Sequence, residues 1–145
     1  MSSKADGAEI LDAFDSSVHG LINATEIDGY ILGINGRKVN GFHVEYTPST
    51  LTGIAFRLLV YDDLTDTWQE FSEVALDTGV VTAIQPLTLA NAAVSAYISW
   101  ERFEEGGARP QKVHFFAGVI KLAATAAGTV GTASLRIGAN VGYNA

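Results

Sequence analysis

After the first thirty residues the sequence becomes a series of short apolar segments, and in the clearest of them hydrophobic residues occupy every second position. Phe42, Val44 and Tyr46 alternate with polar neighbours, as in a β-strand that buries one face and exposes the other. Asn35-Gly36, a strong signal for a two-residue hairpin turn, precedes this segment. The pattern continues to the C-terminus and predicts an all-β domain with eight or nine antiparallel strands.

Three further segments extend the pattern. Residues 94–101 and 134–141 alternate apolar and polar positions, whereas residues 54–61 are apolar on both faces except at Arg57, as expected of a central strand. A chain of 145 residues has the length of one domain with a substantial core. The number of strands and the absence of a Cys-Trp-Cys pattern favour an antiparallel β-sandwich of jelly-roll type over an immunoglobulin-type sandwich.

The N-terminal residues follow a different period. Four apolar residues recur at the spacing of one helix face: Ile10, Leu11, Phe14 and Val18. With Asp6 or Ser3 as N-cap and Gly20 at the C-terminal end, this spacing predicts one short amphipathic α-helix. We therefore expect an N-terminal helical arm in residues 1–24 and a β-sandwich domain in residues 25–145. The helix either packs on its own domain or lays its apolar stripe into a groove of a neighbouring subunit.

Charge and composition limit the classes of partner. The net charge of −7 argues against binding a nucleic acid through its phosphates, because that binding requires a basic surface. Only 17% of the residues are charged and 48% are hydrophobic, which excludes disorder and favours some apolar surface that faces a protein partner. Residues 1–30 are acidic and residues 106–145 are basic. This asymmetry is either scatter or the basis of complementary contacts between neighbouring subunits.

The start of the sequence lacks the basic residues and apolar stretch of a secretion signal, and no run of about 18 apolar residues is present. We therefore expect synthesis in the cytoplasm, no secretion and no membrane insertion. Cysteine is absent, so disulfides, thiolate metal sites and cysteine nucleophiles are excluded.

A search for catalytic and metal-binding patterns finds two weak candidates. His43 and Glu45 share one strand face, as metal ligands do in jelly-roll proteins of the cupin type, but the second motif of that pattern is missing. Asp62, Asp63 and Asp66 form an acidic turn with oxygen ligands suited to Ca²⁺, although the spacing is not that of an EF-hand. We interpret these residues as a solvated strand face and a polar turn. No catalytic residue, metal site or cofactor is predicted, and calcium binding by the turn stays open.

Aromatic residues near strand ends raise an alternative. Trp68, Trp100 and the loop at residues 103–110 would form a carbohydrate-binding surface if they are exposed, because sugars stack on flat aromatic rings. In a domain of this size two tryptophans more often belong to the core. A carbohydrate- or ligand-binding β-sandwich is therefore the second hypothesis, and a small metal-dependent jelly-roll enzyme that uses His43 and Glu45 is the third.

The chain resembles structural proteins of tailed-phage virions in overall style. The shared features are a short acidic N-terminal helix, the absence of cysteine, a series of sandwich strands, and a Gly-, Ala- and Thr-rich end, Thr129-Val-Gly-Thr-Ala-Ser-Leu-Arg-Ile-Gly-Ala-Asn-Val-Gly-Tyr-Asn-Ala145. The resemblance implies a capsid decoration (cement) protein, or a fibre or neck subunit, present in many copies in the virion. The implied partners are the major capsid protein or other virion subunits. No functional residue is carried over from the family.

The first hypothesis is accordingly a non-enzymatic structural protein that forms homo-oligomers and stabilises a protein shell. The residues expected to contact other subunits come from the predicted helix and from the loop at residues 103–110: Ile10, Leu11, Phe14, Val18, Glu104 and Arg109. Deletion of residues 1–24 is expected to weaken assembly and to leave the β-domain folded.

Overall fold

The computed structural model describes residues 9–70, 72–74, 81–83, 87–98, 100–103, 110–113, 115–116 and 118–142, and describes side chains at 9–70, 88–97 and 118–142. Within these residues the helical structure is one turn, α1 (Ser16–His19). The strands up to residue 74 are β1 (Glu9–Asp15), β2 (Glu26–Asp28), β3 (Leu32–Gly33), β4 (Lys38–Thr47), β5 (Leu51–Asp62), β6 (Thr67–Glu70) and β7 (Ser72–Val74). The later strands are β8 (Val81–Ala83), β9 (Leu87–Leu89), β10 (Val94–Ile98), β11 (Trp100–Phe103), β12 (Pro110–Val113), β13 (Phe115–Phe116), β14 (Val119–Gly128) and β15 (Ser134–Gly142).

Two antiparallel sheets pack against each other. The first sheet has the order β1-β15-β4-β10, and β13 also pairs with β4. The second sheet has the order β2-β14-β5-β6, while β3 also pairs with β14 and β9 with β5. Two further pairs, β7 with β8 and β11 with β12, lie outside these sheets. The prediction of an antiparallel all-β sandwich is confirmed.

Several strands lie end to end on the same neighbour. This holds for β10 and β13 on β4, for β2 and β3 on β14, and for β6 and β9 on β5. When each such couple counts as one strand, the described parts of the two sheets contain eight strands in the orders 1-8-3-6 and 2-7-4-5. The described segments outnumber the predicted eight or nine strands because several strands are interrupted.

The core lies between the sheets and consists of their inward-facing side chains. The strand predicted from its alternation is one example, since Phe42 and Val44 are fully buried while His43 and Glu45 between and beyond them are exposed. Burial of one such large apolar side chain stabilises a fold by roughly 1.5–3 kcal/mol. The largest fully buried side chains are Phe14, Phe42, Phe56, Ile34, Leu51, Ile54, Leu58, Ile120, Leu122, Leu135 and Ile137.

The segment that connects β2 to β3 closes the edge of the sandwich between β1 and β14. Gly29 donates its N–H to the carbonyl of Leu122 at 2.7 Å, and Tyr30 donates its N–H to the carbonyl of Ala13 at 2.9 Å. Two consecutive residues therefore link the two sheets. A Cβ at Gly29 would lie 2.2 Å from the Ala13 carbonyl oxygen, so this position requires glycine.

The predicted N-terminal helix is wrong, because residues 9–15 form β1 and pair with β15. The register shifts between Asp12 and Phe14, which makes Ala13 an extra residue in a β-bulge. The bulge turns Leu11 and Phe14 to the same side of the sheet although they are three residues apart, and this spacing imitates a helix face. Residues 9–15 therefore belong to the first sheet and not to a separate helical arm.

The helical turn α1 follows β1 directly. The Asp15 carboxylate accepts hydrogen bonds from the Ser17 N–H at 3.0 Å and the Ser17 hydroxyl at 2.7 Å, and these bonds lower the pKa of Asp15. Gly20 ends the turn with a φ of +82°, which glycine adopts without strain. Both candidates for the N-cap, Asp6 and Ser3, lie outside the described residues.

Candidate functional site

The six residues predicted to contact a partner have different surroundings. Ile10 and Val18 are 57% and 62% exposed. Leu11 is partly buried against the core and Phe14 is fully buried within it, so both side chains are used by the chain's own packing. Glu104 and Arg109 lie outside the described residues.

Exposed large hydrophobic side chains concentrate along one edge of the sandwich. Seven are exposed among the residues that the structure describes, and two of these, Leu64 and Tyr97, lie elsewhere. The other five form what we call the edge strip: Ile10, Val18, Ile22, Tyr30 and Ile31. The segment at residues 10–31 contains β1 and β2, which lie at the same edge of the two sheets. Single exposed hydrophobic residues are ordinary, whereas a concentration of them indicates an interaction surface.

Aromatic contacts hold the centre of the edge strip in place. The His19 ring lies between the ring of Phe14, at a centroid distance of 5.2 Å, and the ring of Tyr30, at 4.3 Å in an edge-to-face arrangement. Because Phe14 is buried in the core, this stack fixes the exposed Tyr30 to the interior of the domain.

The acidic start and the basic end of the chain meet within one molecule. Arg136 on β15 contacts Asp12 on the adjacent β1 at 3.1 Å, and Lys121 on β14 contacts Asp28 on the adjacent β2 at 2.9 Å. Both cations thus have carboxylate partners inside the chain. For these four residues, the opposite charges of the two ends of the sequence face each other on adjacent strands and need no neighbouring subunit to pair them.

The outer face of the first sheet carries a polar cluster, which we define as His43, Glu45, Ser95 and Tyr97. One carboxylate oxygen of Glu45, Oε1, accepts the Ser95 hydroxyl at 2.8 Å and lies 2.6 Å from His43 Nε2. These hydrogen bonds, chiefly the one with His43, lower the pKa of Glu45. Tyr97 pairs with His43 across the strands, and its side chain is 51% exposed. The cluster therefore presents an aromatic ring beside several hydrogen-bonding groups.

The described side chains of the two metal-site candidates from the sequence do not form a metal site. His43 and Glu45 bond to each other, and Asp62 uses its Oδ1 to accept the Leu64 N–H at 2.9 Å in the turn between β5 and β6. Across the described parts of the chain, no group of three or more His, Cys, Asp or Glu side chains is arranged to hold a metal ion.

Trp68 lies on the outer face of the second sheet, but one of its ring faces is occupied. The Lys121 ammonium lies 4.3 Å from the Trp68 ring centroid, and the Tyr61 ring packs edge-to-face at 5.3 Å. Trp68 is accordingly only partly exposed. The side chain of Trp100 and residues 104–109 of the predicted carbohydrate surface lie outside the described residues.

Sequence reasoning places Tyr97 on the outer face of its strand but does not join it to His43 and Glu45, and it does not identify three members of the edge strip as contact residues. Tyr97 belongs to the polar cluster because it pairs with His43 on the neighbouring strand. This pairing depends on strand register, which cannot be read from an alternating pattern alone. Ile22, Tyr30 and Ile31 lie in an irregular segment, where no period indicates which side chains are exposed. The adjacent apolar pair Tyr30-Ile31 next to Gly29 is the one local signal of this surface.

Comparison of the chain with protein-family models, with curated proteins and with solved structures found no match. Among the described residues there is no helix of the length and apolarity that a membrane crossing requires.

Proposed function

We propose that this protein is a non-enzymatic structural subunit that binds other proteins of a larger assembly, in particular a decoration protein of a tailed-phage capsid. The observation that carries the proposal is the edge strip, which collects five of the seven exposed large hydrophobic side chains of the described residues. A partner that covers these side chains removes apolar area from water, and full burial of each is worth roughly 1.5–3 kcal/mol.

The free energy gained by covering the edge strip suits a subunit that is present in many copies. Association costs several kcal/mol of lost translational and rotational freedom, so a strip of about five half-exposed side chains supports a modest single contact. Repetition on a lattice raises the effective affinity, because each occupied site adds a further weak contact within the same particle.

The order of the strands also supports the proposal. When interrupted strands are counted once, the first strand adjoins the eighth, the second the seventh, the third the sixth and the fourth the fifth. A long hairpin rolled into two sheets has this order, and on this basis we propose the jelly-roll type. Jelly rolls occur in viral capsid and lectin domains, although a fold alone does not define a function.

The test is an add-back experiment with particles purified from cells in which the gene for this protein is deleted. Wild-type protein should co-sediment with the particles, and Val18→Asp and Ile31→Asp should each weaken binding at least tenfold. Leu64→Asp is the matched control, because Leu64 is 93% exposed but lies in the turn between β5 and β6. Equal binding by all three variants, or no binding by the wild type, would refute the proposal.

The polar cluster favours carbohydrate binding as a second candidate function. An exposed aromatic ring beside a carboxylate, an imidazole and a hydroxyl offers one stacking surface and several hydrogen bonds to a sugar. A glycan array should then give signals that Tyr97→Ala and Glu45→Gln abolish. Tyr30→Ala, which removes an exposed tyrosine of the edge strip, should leave them unchanged. A blank array at millimolar sugar would remove this candidate.

A further inference from the structure

Two Asn-Gly pairs of the chain lie in different environments. Asn35-Gly36 forms the centre of the turn between β3 and β4, whereas Asn40-Gly41 lies inside β4. An asparagine that precedes a glycine is chemically labile, because glycine has no side chain to shield the backbone nitrogen that attacks the asparagine side chain. In a folded protein the reaction depends on how firmly the structure holds that nitrogen.

The Asn35-Gly36 turn is open to solvent. Both residues are exposed, and a Cβ placed on Gly36 would meet nothing within 4 Å. Their φ values are +57° and +78°, and the central residues of a type I′ turn both have positive φ. Within the described part of the chain, neither the Gly36 N–H nor the Asn35 side-chain amide has a hydrogen-bond partner. Hydrogen bonds therefore restrain neither the attacking nitrogen nor the amide that it attacks.

The residues on either side of the turn are anchored. Ile34 is fully buried, and the N–H groups of Ile34 and Asn35 donate to the Gly118 carbonyl at 2.7 Å and 3.1 Å. One backbone hydrogen bond closes the turn, from the Arg37 N–H to the Ile34 carbonyl at 3.2 Å. Rotation of the peptide between Asn35 and Gly36 therefore breaks at most this one backbone bond. Openings of this size are among the least costly local fluctuations of a folded protein.

The sheet restrains the second pair. β4 is an inner strand of the first sheet, and although Asn40 is the extra residue of a bulge, Gly41 pairs with Asn140 on β15. Gly41 is buried, and the next residue, Phe42, is fully buried in the core. Attack by the Gly41 nitrogen on the Asn40 side chain would require β4 to leave the sheet, which demands an opening far larger than that of a turn.

We infer that Asn35 is a site of spontaneous, non-enzymatic modification in the folded protein. The Gly36 nitrogen loses its proton to hydroxide and attacks Cγ of Asn35, a C–N bond forms, and the side-chain nitrogen leaves as ammonia. Water then opens the cyclic imide at either of its two carbonyls, which gives an aspartyl or an isoaspartyl residue. Each event adds one negative charge at neutral pH, because a carboxyl group is ionised there. The inference is independent of the proposed function.

The experiment is an incubation of the native protein at mildly alkaline pH in water enriched in oxygen-18, followed by trypsin digestion in ordinary water and mass spectrometry. Trypsin cleaves after Arg37 and Lys38, so the two asparagines fall in separate peptides, residues 5–37 and 39–57. Heavy oxygen in the product distinguishes modification during the incubation from modification during the digestion. In the native protein the rate at Asn35 should exceed that at Asn40 about tenfold or more, whereas in urea above the denaturation midpoint the two rates should agree within a few-fold.

Asn35→Gly is the matched control, because glycine also adopts positive φ but has no amide to lose. Peptide 5–37 of this variant should gain no label, although it still contains Asn23, whose side-chain oxygen accepts the Gly128 N–H at 3.0 Å. Ion-exchange chromatography of the aged wild type should show a more acidic species that elutes with Asn35→Asp, and the aged Asn35→Gly variant should lack it.

Three outcomes would overturn the inference. The first is equal rates at Asn35 and Asn40 in the native protein, and the second is an Asn35 that reacts only in urea. The third is an Asn40 that stays unreactive in urea as well, because its local sequence and not the sheet would then protect it. Particle binding enters none of these measurements, so failure of the proposed function would leave the inference standing.

Discussion

Replacement of Tyr46 by phenylalanine should stabilise the protein. The Tyr46 side chain is 2% exposed, and its hydroxyl is the one buried side-chain polar atom in the described residues that has no hydrogen-bond partner. A buried polar group without a partner costs about 1–3 kcal/mol relative to its solvated state in the unfolded chain. Removal of the hydroxyl leaves a void of about 10 Å³, which at about 24 cal/mol per Å³ costs only about 0.2 kcal/mol. We expect the free energy of unfolding to rise by about 1 kcal/mol.

Urea denaturation measures this change directly. Tyr46→Phe should raise the denaturation midpoint without a change in the m-value, because the surface exposed on unfolding stays the same. Tyr97→Phe is the control, since that side chain is half exposed and its hydroxyl is not in the core, and its effect should stay within about 0.5 kcal/mol. If Tyr46→Phe lowers the free energy of unfolding by about 1 kcal/mol or more, the hydroxyl has a stabilising partner and the reasoning is refuted.

The same substitution has a signature at alkaline pH. Burial raises the pKa of the Tyr46 phenol above the value of about 10 that it has in an unfolded chain. The unfolded state therefore loses its phenolic proton first, and the wild type loses stability as the pH rises from about 10 through the folded-state pKa. Tyr46→Phe lacks this term, so its stability should fall less steeply over that range. Parallel curves for the two proteins would contradict the assignment of Tyr46 as a buried neutral phenol.

Three further predictions concern folding. Gly29→Ala should destabilise the protein by about 2 kcal/mol or more, because the new Cβ meets a backbone carbonyl, whereas Gly118→Ala, with open space at the Cβ, should have little effect in the same denaturation assay. Glu26→Gln should lower the free energy of unfolding by at most about 1 kcal/mol at neutral pH, because the ion pair with Arg57 is partly exposed. Since Arg57 lowers the pKa of Glu26, the difference in stability between wild type and variant should disappear as acid titrates the carboxylate in the folded state. A difference that stays constant with pH would contradict the ion-pair explanation. Deletion of residues 1–24 should unfold the domain, as measured by circular dichroism, because it removes β1 from the first sheet; a folded deletion variant would restore the idea of a separate arm.

The sequence predicted the parts of the fold in which a regular strand produces a regular alternation of apolar and polar residues. Phe42 and Val44 face the core as their alternation indicates, and the strand at residues 134–142 buries Leu135 and Ile137 in the same way. The N-terminal strand could not be predicted, because the bulge at Ala13 converts a period of two into a spacing of three. A local irregularity of one residue was enough to change the predicted element.

The surfaces were harder to predict than the core because they depend on which strands become neighbours. His43 and Glu45 were identified as a pair on one strand face, and their contact at 2.6 Å follows from that strand alone. Tyr97 and Ser95 join them only through the pairing of β10 with β4, which connects residues about fifty positions apart in the sequence. The hydrogen bonds between the loops that contain Ser49, Asn91 and Thr132 have the same origin, since these loops are distant in the chain and meet only in the folded sandwich.

Because the chain's beginning and end are adjacent, some of its charges are paired within one copy, and the proposed partners would contact uncharged surfaces. β1 lies next to β15 and β2 next to β14, so Asp12 faces Arg136 and Asp28 faces Lys121. Pairs such as Asp12 with Arg136 are exposed and contribute little to stability, but they neutralise each other within one copy. A second copy therefore finds few unpaired opposite charges on these strands. In the proposed function, association then depends on apolar area at the edge strip, and it should respond to an introduced charge far more than to a removed one.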